Sequence, residues 1–379
     1  MKKWLIIPII IGLLFIIHIF YMGYINENIL NNFVNNKNSN YEITDLNFKK
    51  GFLHSKAIFI IKDKLDLNFS TKVNVIFNNN YFSKYVAQGN LSNPFYFLDQ
   101  YLKDKELANF VLTSEQKGFN LRFKFQDINL SNEGGDALLK NASVLILTNK
   151  NMQAKHICLN IDKARFAQFY SKLSMQDFNY KKHFNYPVPL SDLLQPKEGI
   201  EELQFHSFAF NNNKIASFYS RNIFHFKGKN KLKIHFQGKA NDIVLDMNSK
   251  FYQNLNFDKV DFDIIWDDIT KNSYNKFNIN SFAKKGLKLD IIDLALYKDN
   301  KKIDIDGNAF ISDQNDKASI QISSTEEPDK IFAWGQFFGG LNQYFIRNND
   351  LFIMNLSYDS LSNPQLKING NQFSHIDLN

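Results

Sequence analysis

From about residue 41 onward, apolar and polar residues take turns with a period of two, and that pattern commits a chain to half-buried β-strands. Phe119, Leu121, Phe123 and Phe125 alternate with Asn120, Arg122 and Lys124. Leu65, Leu67 and Phe69 alternate in the same way, and Val73, Val75 and Phe77 continue the pattern. Ile157, Leu159 and Ile161 repeat it, as do Leu232, Ile234 and Phe236. Strands with one polar side belong to antiparallel sheet with one wet face, because strands of a parallel sheet covered on both sides read as continuous apolar runs.

Helical spacing intrudes in three places. Ser92-Asn93-Pro94 reads as a helix start followed by Leu98, Tyr101 and Leu102. Asp162 is placed to cap a second helix carrying Phe166, Phe169, Tyr170 and Leu173 on one face. A third starts near Pro328, with Glu326 and Glu327 at the positive end of its dipole. Its apolar positions Ile331, Trp334, Phe338, Leu341 and Phe345 step by three and four. The expected fold class is therefore α+β: mainly antiparallel β with a few packed helices, preceded by one transmembrane helix.

That transmembrane helix is the reading of Trp4–Ile25, a run without formal charge. About 22 residues make roughly 33 Å of helix, enough for a bilayer core of about 30 Å. Lys2 and Lys3 precede it and predict a cytoplasmic amino terminus. Bulky Phe20, Tyr21, Met22 and Tyr24 close the run, whereas a cleavable signal peptide ends in small residues. The expectation is a single-pass protein of a bacterial inner membrane, held in the lipid bilayer through residues 4–25, with its bulk in the periplasm. Residues 1–3 form a cytoplasmic tail, 26–40 a spacer, 41–186 a first β-rich half and 200–379 a second. The proline cluster PVPLSDLLQPKEG (187–199) is the linker between the halves.

Of the 379 residues 44% are hydrophobic and 15% aromatic, which excludes a disordered chain. A single cysteine, Cys158, excludes a disulfide framework and any multi-cysteine zinc site. The net charge of +7 comes from lysines scattered along the chain. Asn, Lys, Ile and Phe are all enriched and share AT-rich codons, so composition accounts for the charge. No nucleic-acid module accompanies it, and nucleic acid is not expected as a partner.

A faint repeat joins LKIHFQGKA (232–240), KIDIDGNAF (302–310) and LKINGNQF (366–373), each an alternating strand followed by Gly. Tyr297-Lys298-Asp299-Asn300 and Tyr358-Asp359-Ser360 supply turns before the last two.

Two segments resemble the YdgA-like family of bacterial envelope proteins, a family of unknown function. ITDLNFKKGFLHSKAIFII (43–61) is similar to its basic-Gly-aromatic-x-x-Ser opening strand, here Lys50, Gly51, Phe52, Leu53, His54, Ser55. LSYDSLSNPQLKINGNQF (356–373) is similar to its closing Tyr-turn-strand-Asn-Gly segment. Where that family shows a His-Gly-Pro turn, this chain has Asn78-Asn79-Asn80. The resemblance implies a periplasm-facing β-rich protein and no catalytic residues.

The chain contains no G-x-S-x-G elbow, Walker loop or H-E-x-x-H motif. His225 and His235 fall in neighbouring expected strands without a third ligand in view. Asp304, Asp306 and Asn308 resemble a calcium loop but lack its downstream Glu and alternate with Ile303 and Ile305, which says strand. Asp258, Asp261, Asp263, Asp267 and Asp268 read as a solvated strand face. His156 and Cys158, two apart on a strand, share a face and would be the start of a Cys-His nucleophile. Asn68 and Asn129 sit in Asp-x-Asn-x-Ser sequences, candidate glycosylation sites. No metal or cofactor is expected. The expected role is non-enzymatic binding or structure in the cell envelope, with a partner protein or an apolar, lipid-like ligand, and Trp334, Phe338, Leu341 and Phe345 as the candidate surface. The alternative is an envelope hydrolase with an unrecognised active site.

Overall fold

Among the described residues the alternation becomes strands in antiparallel pairs, while Leu65, Leu67 and Phe69 lie outside the described residues. The structure, a computed structural model, describes residues 21–28, 30–31, 41–63, 70–80, 84–94, 102, 105–132, 135–168, 171–193, 196–228, 231–246, 255–270, 286–312, 315–331, 341–361 and 363–372. The chain divides into two units: Met1–Lys163 with Pro187–Leu194, and Ala164–Tyr186 with Gln195–Asn379.

In the first unit, β1 (Tyr41–Lys49), β2 (His54–Asp63), β3 (Ser70–Asn78), β4 (Tyr85–Ser92), β5 (Glu106–Glu115) and β6 (Gly118–Phe125) form a meander. A hairpin of β7 (Ile128–Asn132) and β8 (Gly135–Lys140) follows, after which β9 (Ser143–Asn149) pairs with β6. The strand β10 (Ala154–Gln168) begins here and pairs with β9. In β3, Thr71, Val73 and Val75 are buried while Ser70 and Lys72 are exposed, as a period of two requires. Ala57, Phe59, Val73, Val75 and Ala87 form the core on that face.

The second unit continues with β11 (Ser171–Val188), flanked by β12 (Gly199–Phe205) and β13 (Ser207–Phe210), which both pair with β14 (Asn213–Lys227). Next come β15 (Lys231–Leu245), β16 (Leu255–Thr270), β17 (Leu287–Lys298), β18 (Lys301–Ile311) and β19 (Lys317–Ser324), each paired with the one before. After β20 (Ile346–Asn348), the strand β21 (Leu351–Asp359) joins β19 and is followed by β22 (Asn363–Ile368) and β23 (Asn371–Gln372). Asp299 and Asn300, both with positive φ, close the β17–β18 hairpin as a two-residue turn demands.

The expected α+β class is thus corrected to nearly all antiparallel β. Residues 162–173, read as a helix, lie in the extended strands β10 and β11 apart from 169–170, which are outside the described residues. Asp162 caps nothing there and accepts a hydrogen bond from the Asn141 side chain at 2.7 Å. The alternation of Ile157, Leu159 and Ile161 had already set an extended ladder against β9, and continuing it avoids the cost of nucleating a helix. Of the helix expected after Ser92, residues 95–101 lie outside the described residues. The third begins as placed, but among the described residues only Pro328–Ile331 is α-helical, with Ile331 buried in a core cluster, and Leu341–Tyr344 is a separate 3-10 turn.

The bilayer anchor also needs correction. Residues 4–20 lie outside the described residues, yet the end of the run continues as a helix through 21–28 and 30–31. Its buried face, Gly23, Asn26 and Leu30, is spent on the sheet: Leu30 joins the core of the first unit. Lys50 pairs with Glu27 at 2.6 Å and lies over the Tyr24 ring. Residues read as the outer end of an anchor and a polar spacer are therefore docked on protein. Among the described residues no helix is long and apolar enough to cross a membrane. The single-pass arrangement and the inner-membrane, periplasm-facing placement do not carry over to the structure.

Candidate functional site

The feature that stands out in the second unit is one apolar face lined by aromatic rings. Phe205 on β12 is directly opposite Phe218 on β14, and their rings stack at 5.1 Å and 12°. Phe218 in turn stacks on Phe262 of β16 at 6.0 Å. Those two strands are not neighbours; β15 runs between them, and strands two apart are separated by roughly 9–10 Å. The rings meet because β15 places Ala240 opposite Phe218 and Gly238 opposite Phe262. A Cβ on Gly238 would lie 2.6 Å from the Phe262 ring and 2.2 Å from the Tyr219 carbonyl oxygen, so no side chain fits. Of the three repeat glycines, Gly238 therefore serves this close approach in mid-strand, while Gly370, with φ +83, makes the turn expected of it.

Further along the same face, Phe236 meets Trp266 edge-on at 5.1 Å, beside the fully buried Leu232, Ile234 and Ile269. Phe218, Phe236, Phe262 and Trp266 remain half-buried. At one margin Lys182 of β11 is buried and pairs with Glu201 of β12 at 2.6 Å, its ammonium over the Phe184 and Phe224 rings at 5.2 and 5.6 Å.

The opposite face is a lattice of ions. Lys259 pairs with Asp261 at 2.5 Å and Lys302 with Asp304 at 2.6 Å, and both ammonium groups lie over the Tyr297 ring. Asp293 stands directly across from Asp263. Partial desolvation, then the neighbouring carboxylates led by Asp304, push the Asp293 carboxyl up from its ordinary range. The folded state thus holds that proton more tightly than the unfolded chain does. The contribution to stability is complete below the ordinary Asp range and is lost as pH rises through the raised value. Asp293→Asn is expected to raise the melting temperature modestly at neutral pH, because the side chain is exposed and screened. The gain should vanish in acid; an equal gain at both pH values would contradict this origin.

The other sequence candidates separate rather than converge. His225 and His235 are offset by two residues and engage different carboxylates, Glu198 at 3.3 Å and Asp263 at 2.5 Å. On β16, Asp261, Asp263, Asp267 and Asp268 each pair with a Lys or His and Asp258 accepts from the Asp299 amide, and Asp267 departs from the expected solvated face by being buried. Burial alone would push its carboxyl up, but hydrogen bonds from Lys227 and the Asp268 amide hold it below the ordinary value. Asp304, Asp306 and Asn308 lie in β18, as the alternation said. Among the described residues no group of His, Cys, Asp and Glu could hold a metal ion.

His156 and Cys158 do share a face of β10, where their cross-strand partners are Leu147 and Leu145. Asn129 is exposed in β7, and the Ser131 hydroxyl of its sequon donates to Asp136 at 2.6 Å. Asn68, Trp334 and Phe338 lie outside the described residues, while Leu341 starts a 3-10 turn that Phe345 follows, half-buried. The aromatic row was missed by the sequence reading, although Phe at 205, 218 and 262 and Gly at 238 were all there to read. What was lacking was the register that brings them together. No protein-family model, curated protein or solved structure matches this chain.

Proposed function

We propose that this protein acts by binding rather than by catalysis, and that an apolar, acyl-chain-like ligand lies on the aromatic face of the second unit. The observation that carries this is the row Phe205, Phe218 and Phe262, continued by Phe236 and Trp266, in which all but the buried Phe205 are half-buried, on a face rich in Ile, Leu and Val. Small residues on β15 keep the row continuous, whereas larger ones would break it into separate patches. The lattice of Lys259, Asp261, Lys302 and Asp304 lies on the other side of the sheet and the Lys182–Glu201 pair at one margin of this one, so a ligand on this face is held mainly by area removed from water.

Such binding has a signature in chain length. Each buried methylene contributes about 0.8 kcal/mol, so shortening a saturated fatty acid by two carbons should weaken it by about tenfold. Calorimetric titration of the full chain with palmitate, myristate and laurate is expected to show saturable binding with that gradient, and Phe262→Ala should lower the affinity for all three. Absence of saturable binding, or affinity independent of chain length, would refute the proposal.

A further inference from the structure

The first unit carries a second, chemically different site on the face of its sheet opposite the core. Two cavities of about 350 and 330 Å³ adjoin there, and Arg122 lines both. Lys84, Tyr85 and Glu115 belong to the first cavity, and Lys124, Ser143 and Asn160 to the second.

The pairing explains why Arg122 is available. Its direct cross-strand neighbours are Val111 on β5 and Leu145 on β9, neither of which can accept a hydrogen bond. Among the described residues the guanidinium has no ion-pair or hydrogen-bond partner. Arg122 is exposed, so its guanidinium is open to an incoming anion. Among the described residues only one carboxylate lines the cavities, Glu115, and it is occupied by Lys84 at 3.3 Å and by the Asn120 amide at 3.2 Å. With Lys84 paired to Glu115, Arg122 and Lys124 leave the lining with a net charge of +2. The rest of the lining is rich in hydroxyl and amide groups, from Thr113, Asn120, Asn141, Ser143 and Asn160. Tyr85 at the rim is 59% exposed and offers a ring face.

We infer that Arg122 anchors a small hydroxyl-rich acid, a sugar carrying a carboxylate or a phosphate, lying across both cavities. A planar guanidinium with five donors suits either anion bidentately, and Lys84 and Lys124 reinforce it from the two sides. The amide and hydroxyl lining suits a polyol, and an exposed tyrosine ring suits the C–H face of a sugar. This site is independent of the acyl-chain reading, since it lies in the other unit and recognises charge.

Titration of the full chain at low salt with glucuronate, glucose 6-phosphate, inorganic phosphate and glucose tests it. At least one of the two acidic sugars should bind saturably, and more tightly than phosphate alone, with no measurable binding of glucose. Arg122→Gln should weaken the acidic sugar at least tenfold. Its melting temperature should be unchanged, because the side chain has no partner to lose. Lys72→Gln, on the same face but outside the cavities, should change affinity less than twofold. The inference is overturned if neither acidic sugar binds, if phosphate binds as tightly as its sugar ester, or if Lys72→Gln weakens binding as much as Arg122→Gln does.

Discussion

Replacing Asn79 by leucine is expected to destabilise the first unit by about 3–5 kcal/mol, the largest effect of any single substitution there. Asn79 is wholly buried, and its side chain is the hub of a polar knot. Its Nδ2 donates to the Gly51 carbonyl at 2.8 Å and to that of Phe52 at 3.2 Å, which fixes the turn between β1 and β2. Its Oδ1 accepts from the Asn26 amide and the Ser55 hydroxyl, each at 3.2 Å. Leucine preserves the volume but strands Asn26 and Ser55, which are themselves 4% and 0% exposed. A buried polar group left without its partner costs about 1–3 kcal/mol, and here two are stranded at once while two carbonyls lose a donor. Denaturant unfolding of the full chain measures the loss. Ser55→Ala, which removes one spoke and leaves the hub, should cost about 1 kcal/mol. A loss below that for Asn79→Leu would mean the knot is dispensable.

In the second unit, Lys182→Ala is expected to cost about 3–5 kcal/mol because it leaves Glu201 charged and unpaired at a site only 13% exposed. The ammonium also sits over two phenyl rings, so its removal opens space against Phe184 and Phe224. The double replacement Lys182→Met with Glu201→Leu separates the two costs. It removes both charges, keeps the volume and should recover stability to within about 1 kcal/mol of the parent. If the double variant is as unstable as Lys182→Ala, the ion pair itself, and not the orphaned carboxylate, is what the fold requires.

These two clusters show how unevenly the molecule could be read in advance. The strands and their wet and dry sides were legible, because a period of two is a local property: Val73 and Val75 in β3, or Leu232 and Ile234 in β15, point inward whatever they pair with. The Asp299-Asn300 turn was legible for the same reason. The helix expected from Asp162 through Leu173 failed because spacing of three and four can arise by chance inside a strand, and the hydrogen bonds of the preceding ladder outweighed it. The end of the apolar run failed differently. Hydropathy measures what a segment avoids, and a sheet surface excludes water as well as lipid does.

The segments that carry the family resemblance make the point within one motif. Gly51, Phe52 and Ser55 were singled out, as was the Asn78-Asn79-Asn80 departure, but as separate observations. In the structure Asn79 holds the first three together and reaches back to Asn26, 53 residues earlier. By itself, the sequence determined an extended, antiparallel, one-side-wet architecture, since backbone geometry converts alternation directly into faces. Only the tertiary structure decided which strands became neighbours. That choice freed Arg122 between Val111 and Leu145, stacked Phe218 on Phe262 across a glycine, and tied Asn26 and Leu30 to the sheet. Pairing partners are chosen by summed burial and hydrogen bonding over the whole chain, a quantity that no local window contains.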